Sequence, residues 1–117
     1  MKISDSEMEL MKVIWSNNGE ITSSFLTEYF AEIWKPTTVS TFLKRLTQKK
    51  FLTMRRDGKA CFYNALISEN RYKYERTKEF INEVHGGSVD SLLASLCGGE
   101  KSSKSEIKDI RKMLDKK

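Results

Sequence analysis

Apolar positions recur at helical spacing in three successive stretches at the start of the chain. Within residues 4–16, SDSEMELMKVIWS, the residues Met8, Met11, Ile14 and Trp15 fall at offsets 0, 3, 6 and 7 and share one helical face. Ser4 and Glu7 stand at the spacing of a capping box, in which each side chain satisfies the other's unpaired backbone N–H, so a first helix is predicted to start there. Asn17-Asn18-Gly19 supplies a turn. Thr22 or Ser23 is then placed to cap a second helix with Leu26, Tyr29, Phe30 and Ile33 on one face. Pro36 suits the first turn of a third helix, predicted over about residues 36–50, whose apolar face is Val39, Phe42, Leu43 and Leu46 at offsets 0, 3, 4 and 7.

The period then changes. In FLTMRRDGKACFYNAL two short runs rich in β-forming residues flank Asp57-Gly58, a dipeptide favoured in hairpin turns, so a β-hairpin is predicted. Three short helices followed at once by a hairpin have the layout of a winged helix-turn-helix, with the hairpin as wing. Helical spacing returns at Ser68, first with Tyr74, Thr77, Ile81 and Val84 over residues 68–84. After Gly86-Gly87 come Val89, Leu92, Leu93 and Leu96, and then Ile107, Ile110 and Leu114. With three or four large apolar residues each, these helices bury too little area to offset chain entropy alone, and a second copy in a two-fold dimer is the simplest partner. The expected fold class is mainly α with a small β-hairpin wing: a winged helix in residues 1–67 and a helical dimerisation region in residues 68–117, with Leu92, Leu93, Leu96, Ile107, Ile110 and Leu114 at or near the subunit interface.

Composition agrees. The 117 residues are 38% hydrophobic and 32% charged with one proline and six glycines, which suits a soluble helical protein of one domain or one and a half. No stretch approaches the ~18 apolar residues of a membrane span, and the first eleven residues lack a secretory core, so a cytoplasmic protein without a membrane partner is expected. Cys61 and Cys97 have neither a CxxC spacing nor a histidine nearby, which points to reduced, structural thiols and to no metal site; an accessible Cys97 would be open to oxidants.

Charge changes the picture more. The net charge is +5, but residues 1–43 sum to −3 and residues 68–117 to +2, leaving +6 on residues 44–59. Lys44, Arg45, Lys49, Lys50, Arg55, Arg56 and Lys59 face Asp57 alone there. Such a segment is the footprint of a polyanion-binding surface, or else a solvated helix face. If Val39, Phe42, Leu43 and Leu46 point inward, Thr37, Thr38, Ser40, Thr41, Lys44 and Gln48 form or flank an outer face rich in hydroxyls. Small side chains at a helix start let backbone donors approach phosphate while hydroxyls and a Thr methyl reach base edges. Arg45, Lys49 and Lys50 further along, with Arg55, Arg56 and Lys59 around the hairpin tip, suit phosphates. Thr37 and Thr38 have the competing role of simple helix caps.

Enzymatic readings fail for want of a constellation, so no enzyme and no cofactor are expected. His85 is the only histidine and, beside Gly86-Gly87, reads as a helix end. Gly98-Gly99 lacks the lysine and hydroxyl of a phosphate loop.

The runs SEMELMKVIW, TTVSTFLKRLTQKKFL, RRDGKACFY and EFINEVHGGSVDSLLASL resemble the penicillinase-repressor family over nearly the whole chain. The resemblance implies a homodimeric repressor of transcription with an N-terminal winged helix, binding double-stranded operator DNA, and it places Thr37, Thr38, Ser40 and Thr41 in the major groove. Ser40 stands where family members often carry arginine. The copper-responsive branch uses a C-terminal cysteine cluster, absent from KSEIKDIRKMLDKK, which disfavours copper sensing. In the β-lactam-responsive branch a membrane sensor-protease signals cleavage at an Asn-Phe bond, and the matching candidate cleavage point is Ser95-Leu96. With no ligand-binding fold or metal cluster to switch it, release by proteolysis or a partner protein is expected. Gly98-Gly99 and the polar stretch 100–104 make a link of the kind proteases nick, and a cut there would strip Ile107, Ile110 and Leu114 from the dimer. The rival to a DNA-binding repressor is a winged helix used only as a protein-interaction module, its basic wing against an acidic partner.

Overall fold

Ser4 caps the first helix by the reciprocal pair its spacing predicts. Its hydroxyl accepts from the Glu7 N–H at 3.1 Å, and the Glu7 carboxylate accepts from the Ser4 N–H at 2.9 Å. In the computed structural model this helix, α1 (Asp5–Ser16), is followed by β1 (Ile21–Thr22), α2 (Ser23–Tyr29), α3 (Pro36–Gln48), β2 (Leu52–Asp57), β3 (Ala60–Ala65), α4 (Glu69–His85) and α5 (Val89–Leu96). The structure describes residues 2–97 and, beyond them, Lys112 alone. The expected interface residues Ile107, Ile110 and Leu114, and the link at 98–104, lie outside the described residues. None of the described helices is long and apolar enough to cross a membrane.

Packing divides the chain into two units, Met1–Lys73 and Tyr74–Lys117. The first is built on one core that draws Leu10, Met11 and Ile14 from α1, Ile21 from β1, Leu26 and Phe30 from α2 and its end, and Val39, Leu43 and Leu46 from α3. Phe51, Leu52 and Tyr72 complete it. The buried stripe of α1 is Glu7, Leu10, Met11 and Ile14, so Met8 and Trp15 lie at its margin rather than its centre. Tyr72 enters this core from the first turn of α4, its ring 5.5 Å from Trp15 and 5.6 Å from Phe51, and Trp15 Nε1 donates to the Ile67 carbonyl at 2.9 Å.

The second helix departs from its prediction. Thr22 caps it, accepting from the Phe25 N–H at 3.1 Å, but α2 ends at Tyr29, and Tyr29 and Ile33 are 61% and 69% exposed instead of sharing the inner face with Leu26 and Phe30. Phe30 already caps the helix, at φ −99° and ψ 14°, and Ile33 falls in the turn that leads to Pro36. The proline ring disfavours helical geometry at Lys35, which is extended at φ −69° and ψ 154°, and the chain closes the intervening turn through Ile33 and Trp34 N–H bonds to the Phe30 carbonyl. The Trp34 ring sits 4.7 Å from Phe30 and 5.1 Å edge-on from Phe42, fixing the start of α3 to the end of α2.

Strands β1, β3 and β2 form, in that order, an antiparallel sheet. Asp57 pairs with Ala60, so the two turn residues are Gly58 and Lys59, not Asp57 and Gly58 as the dipeptide suggested. Gly58 has φ +61° and Lys59 is not at positive φ, the pattern of a type II′ turn, which wants glycine first rather than second. At the other end of β2, Lys50 is the only described non-glycine residue at positive φ, +65°. The Phe51 N–H bonds the Leu46 carbonyl at 2.9 Å and the Lys50 N–H bonds the Thr47 carbonyl at 3.1 Å, a Schellman closure of α3 in which glycine is the usual residue. Lys50→Gly relieves that strain at the expense of a looser unfolded chain, and thermal melting should show a gain of about 0.5–1 kcal/mol, a midpoint several degrees higher.

In the second unit, α4 ends at His85 as expected, with Nδ1 2.8 Å from the Ser91 hydroxyl and the ring edge-on to Phe80. Gly86 and Gly87, at φ +57° and +83°, turn the chain, and Ser88 caps α5 through the Ser91 N–H. The stripe expected to pack on α4 stays open in a single copy: Tyr74 and Val84 are 53% and 60% exposed, Thr77 is exposed and Ile81 half-buried.

Candidate nucleic-acid interface

Helix α3 presents two faces that differ in chemistry. Val39, Leu43 and Leu46 are buried, while Thr37, Ser40, Thr41, Lys44 and Arg45 are exposed and Thr38 and Phe42 lie between. Neither Thr37 nor Thr38 caps the helix: the N-cap position is Lys35, which makes no side-chain cap bond, and Pro36 opens the helix. Thr37 is thus free of the competing role. The Thr41 hydroxyl donates to the Thr37 carbonyl at 2.9 Å. Its proton is committed to the backbone, so what it offers outward is an acceptor lone pair and a methyl group, suited to an adenine or cytosine amino group or to a thymine methyl.

The cations of residues 44–59 divide into two groups. Lys44, Arg45, Lys50, Arg56 and Lys59 are exposed and form no ion pair with any described residue; Arg56 reaches only the Cys61 sulfur, at 3.9 Å. Lys49 and Arg55 are already engaged. Lys49 Nζ lies 2.9 Å from Glu7 Oε1, which also takes the Ser4 N–H, and Glu7 is only 2% exposed. This pair ties the start of α1 to the end of α3. Arg55 donates from Nε and Nη2 to the two Glu20 oxygens, both at 2.9 Å, and its guanidinium lies 4.4 Å over the Phe62 ring. Those hydrogen bonds hold the Glu20 carboxyl below the usual carboxylate range and raise the Arg55 pKa.

The structure therefore brings Thr37, Thr38, Ser40, Thr41, Lys44 and Arg45 together on one helix and places Arg55, Arg56 and Lys59 on the hairpin. Sequence reasoning did not find Glu20 or the second role of Glu7. Each meets its partner from 35 and 42 residues away, a separation at which charge patterning along a chain carries no signal. Of the candidate interface leucines, Leu96 is 66% exposed, Leu92 half-buried and Leu93 fully buried within one copy, so Leu93 supports that face from inside. Ser95 is exposed in the last turn of α5, its hydroxyl on the Leu92 carbonyl at 2.7 Å. No group of three potential metal ligands occurs among the described residues.

Comparison with known proteins agrees with this architecture. The chain is 33% identical over 117 residues to the methicillin resistance regulatory protein MecI of Staphylococcus aureus, covering 99% of this chain and 95% of that one. It is 30% identical over 115 residues to the penicillinase repressor of Bacillus licheniformis, covering 97% and 90%. The solution structure of the DNA binding domain of the repressor BlaI superposes with a TM-score of 0.56 at 34% identity, covering 61% of this chain and 88% of that domain. The penicillinase repressor family model matches residues 3–116, and the chain belongs to that family.

Proposed function

We propose that this protein is a homodimeric, sequence-specific DNA-binding repressor that occupies promoter DNA, one winged helix per half-site of a near-palindromic operator. The carrying observation is the outer face of α3, where Thr37, Ser40 and Thr41 are exposed and Thr38 half-buried, beside Lys44 and Arg45, which form no ion pair with any described residue. In this reading α3 enters the major groove, its hydroxyls read bases, and Arg56 and Lys59 on the wing hold phosphates. Two-fold symmetry sets the half-sites about one helical turn, or more, apart. A gel-shift series with a duplex from the protein's own upstream region tests it. Retention that survives excess unrelated duplex supports the reading, and no retention of any DNA at low salt ends it in favour of a protein-interaction module.

Base reading and positioning separate by mutation. Thr41→Ala is expected to reorder the affinities of operator variants, each affected base pair changing by about 1–3 kcal/mol, whereas Lys59→Ala weakens all of them alike and flattens the salt dependence by about one unit of slope. Quantitative gel shifts over a panel of single-base operator variants check both.

The dimer rests on the second unit, where Tyr74, Phe80, Val84 and Leu96 leave large apolar side chains between 45% and 66% exposed in one copy. Release by cleavage at Ser95-Leu96 requires the last turn of α5 to unwind, since proteases take extended backbone. Mass spectrometry of the protein from cells exposed to a β-lactam tests this step: only intact chain, with target genes switched on, excludes it.

A further inference from the structure

Arg55 on β2 and Phe62 on β3 line up with Glu20, the residue just before β1. Arg55 pairs across β2 and β3 with Phe62, and Phe62 pairs across β3 and β1 with Thr22, so these three positions form one row on one face. The Arg55 side chain runs along that row. It passes over the Phe62 ring at 4.4 Å and ends in a two-pronged bond to Glu20, two residues before Thr22, the cap of α2. The neighbouring row, Met54, Tyr63 and Ile21, faces the other way, with Ile21 in the core and Tyr63 packed against it. The strap therefore lies on the outer face, and its far end is Glu20, two residues before the cap of the helix that precedes the reading helix.

We infer that Arg55 is a positioning residue rather than a phosphate ligand: with Glu20 and Phe62 it straps the wing to the chain that leads into α2 and so sets the wing at the height at which Arg56 and Lys59 meet the DNA backbone. Three observations carry this beyond the presence of an arginine on a wing. The Nε–Nη2 edge of the guanidinium, the one that makes the two-pronged bond, is taken by Glu20 and one of its faces by Phe62, while the rest of the side chain is open, 52% exposed, with Asp57 Oδ2 at 3.9 Å from Nη1. Handing Arg55 to DNA would also leave Glu20 uncompensated and Asp57 nearby, two carboxylates against a polyanion. Finally, β1 has only two residues and pairs with β3 alone, and the bond to Glu20 ties the chain just before it to the far strand β2.

The inference rests on the DNA-binding reading above, and its test has one arm that does not. Amide hydrogen exchange in the absence of DNA should show faster exchange at Ile21 and Phe62 in both Arg55→Ala and Glu20→Gln, with Arg56→Ala like the parent. Unchanged exchange in all three overturns the strap whether or not the protein binds DNA. Affinity for the retained duplex over a range of salt supplies the second arm. Arg55→Ala should weaken binding about fivefold with the parent salt slope, while Arg56→Ala and Lys59→Ala each lower the slope by about one unit. Glu20→Gln should weaken binding as Arg55→Ala does, and the pair together should be no worse than either alone. The charge-reversed pair Glu20→Arg with Arg55→Glu should recover part of the loss. A Glu20→Gln protein that binds more tightly and with a steeper slope would mean that Arg55 is a masked phosphate ligand, and the inference would be wrong. A parent protein that retains no DNA defeats the DNA-binding reading and leaves the exchange arm to decide the strap.

Discussion

A Leu96→Asp chain should sediment as a monomer and bind the operator at least about a hundredfold more weakly than the parent, because a dimer turns the second half-site into an intramolecular step worth about 10²–10⁴ in affinity. Position 96 is chosen for its exposure. Leu96 is 66% exposed in one copy, so a carboxylate there costs the single chain little, whereas the same carboxylate buried across a two-fold axis meets its own symmetry mate. Leu93→Ala does not discriminate in this way. Leu93 is fully buried within one copy, so its truncation removes about 2–5 kcal/mol from folding before any interface is considered. Analytical ultracentrifugation with far-UV circular dichroism separates the two effects: Leu96→Asp should keep the parent's helix content and lose the dimer. A Leu96→Asp chain that is still a dimer at the parent's concentration places the interface elsewhere.

Helix α3 and the wing were legible because their signals are local. The offsets of Val39, Leu43 and Leu46 repeat at 3.6 residues, Pro36 marks the start, and a glycine between two β-forming runs marks the hairpin. The helix was predicted two residues too long, since Lys49 and Lys50 belong to its Schellman end and no glycine announces that end. The errors fall where the decisive contact is not local. Tyr29 and Ile33 match a helical stripe with Leu26 and Phe30, but α2 ends at Tyr29, which faces out from its last turn, and Ile33 falls in the turn before Pro36, so both are in the open. Strand β1 is two residues long and has no period to read; it exists because β3 offers a free edge. On α4 the stripe is real in sequence yet largely unburied in one copy, with Tyr74 and Val84 53% and 60% exposed.

The candidate site divides along the same line. Which α3 residues face outward follows from which face inward, so Thr37, Ser40, Thr41 and Lys44 were readable. Which cations are available to a phosphate does not follow from their number. Two of the seven in the basic segment are taken by carboxylates from a part of the chain whose net charge is negative, Lys49 by Glu7 and Arg55 by Glu20, and only the fold brings these together.

Glu7 carries the second large effect. It is the one buried charged residue described, and it sits in the core stripe of α1 with Leu10, Met11 and Ile14. One oxygen takes the Ser4 N–H and Lys49 Nζ, both at 2.9 Å, while Oε2 is buried without a partner. Glu7→Ala breaks the capping box, leaves a hole in the stripe and frees the end of α3 from α1. Together these should remove about 2–3 kcal/mol, lowering the melting midpoint by 10 °C or more. Lys49→Ala removes the cation but leaves the capping box, so it should lose less than half as much. Acid dependence gives the independent check. Burial pushes the Glu7 carboxyl up, but the Ser4 N–H, the Lys49 ammonium and the Ser4 hydroxyl together outweigh it and hold the group below its ordinary value of 4.5. A carboxylate whose folded pKa is depressed contributes stability that is fully present above 4.5 and lost as pH falls through the lower, folded value. The difference in unfolding free energy between parent and Glu7→Ala, measured in urea from pH 7 down to pH 3, should therefore stay level to about pH 5 and then shrink. A difference that grows toward acid would mean that the carboxyl is held up by burial, and that the bond to Lys49 does not offset its desolvation.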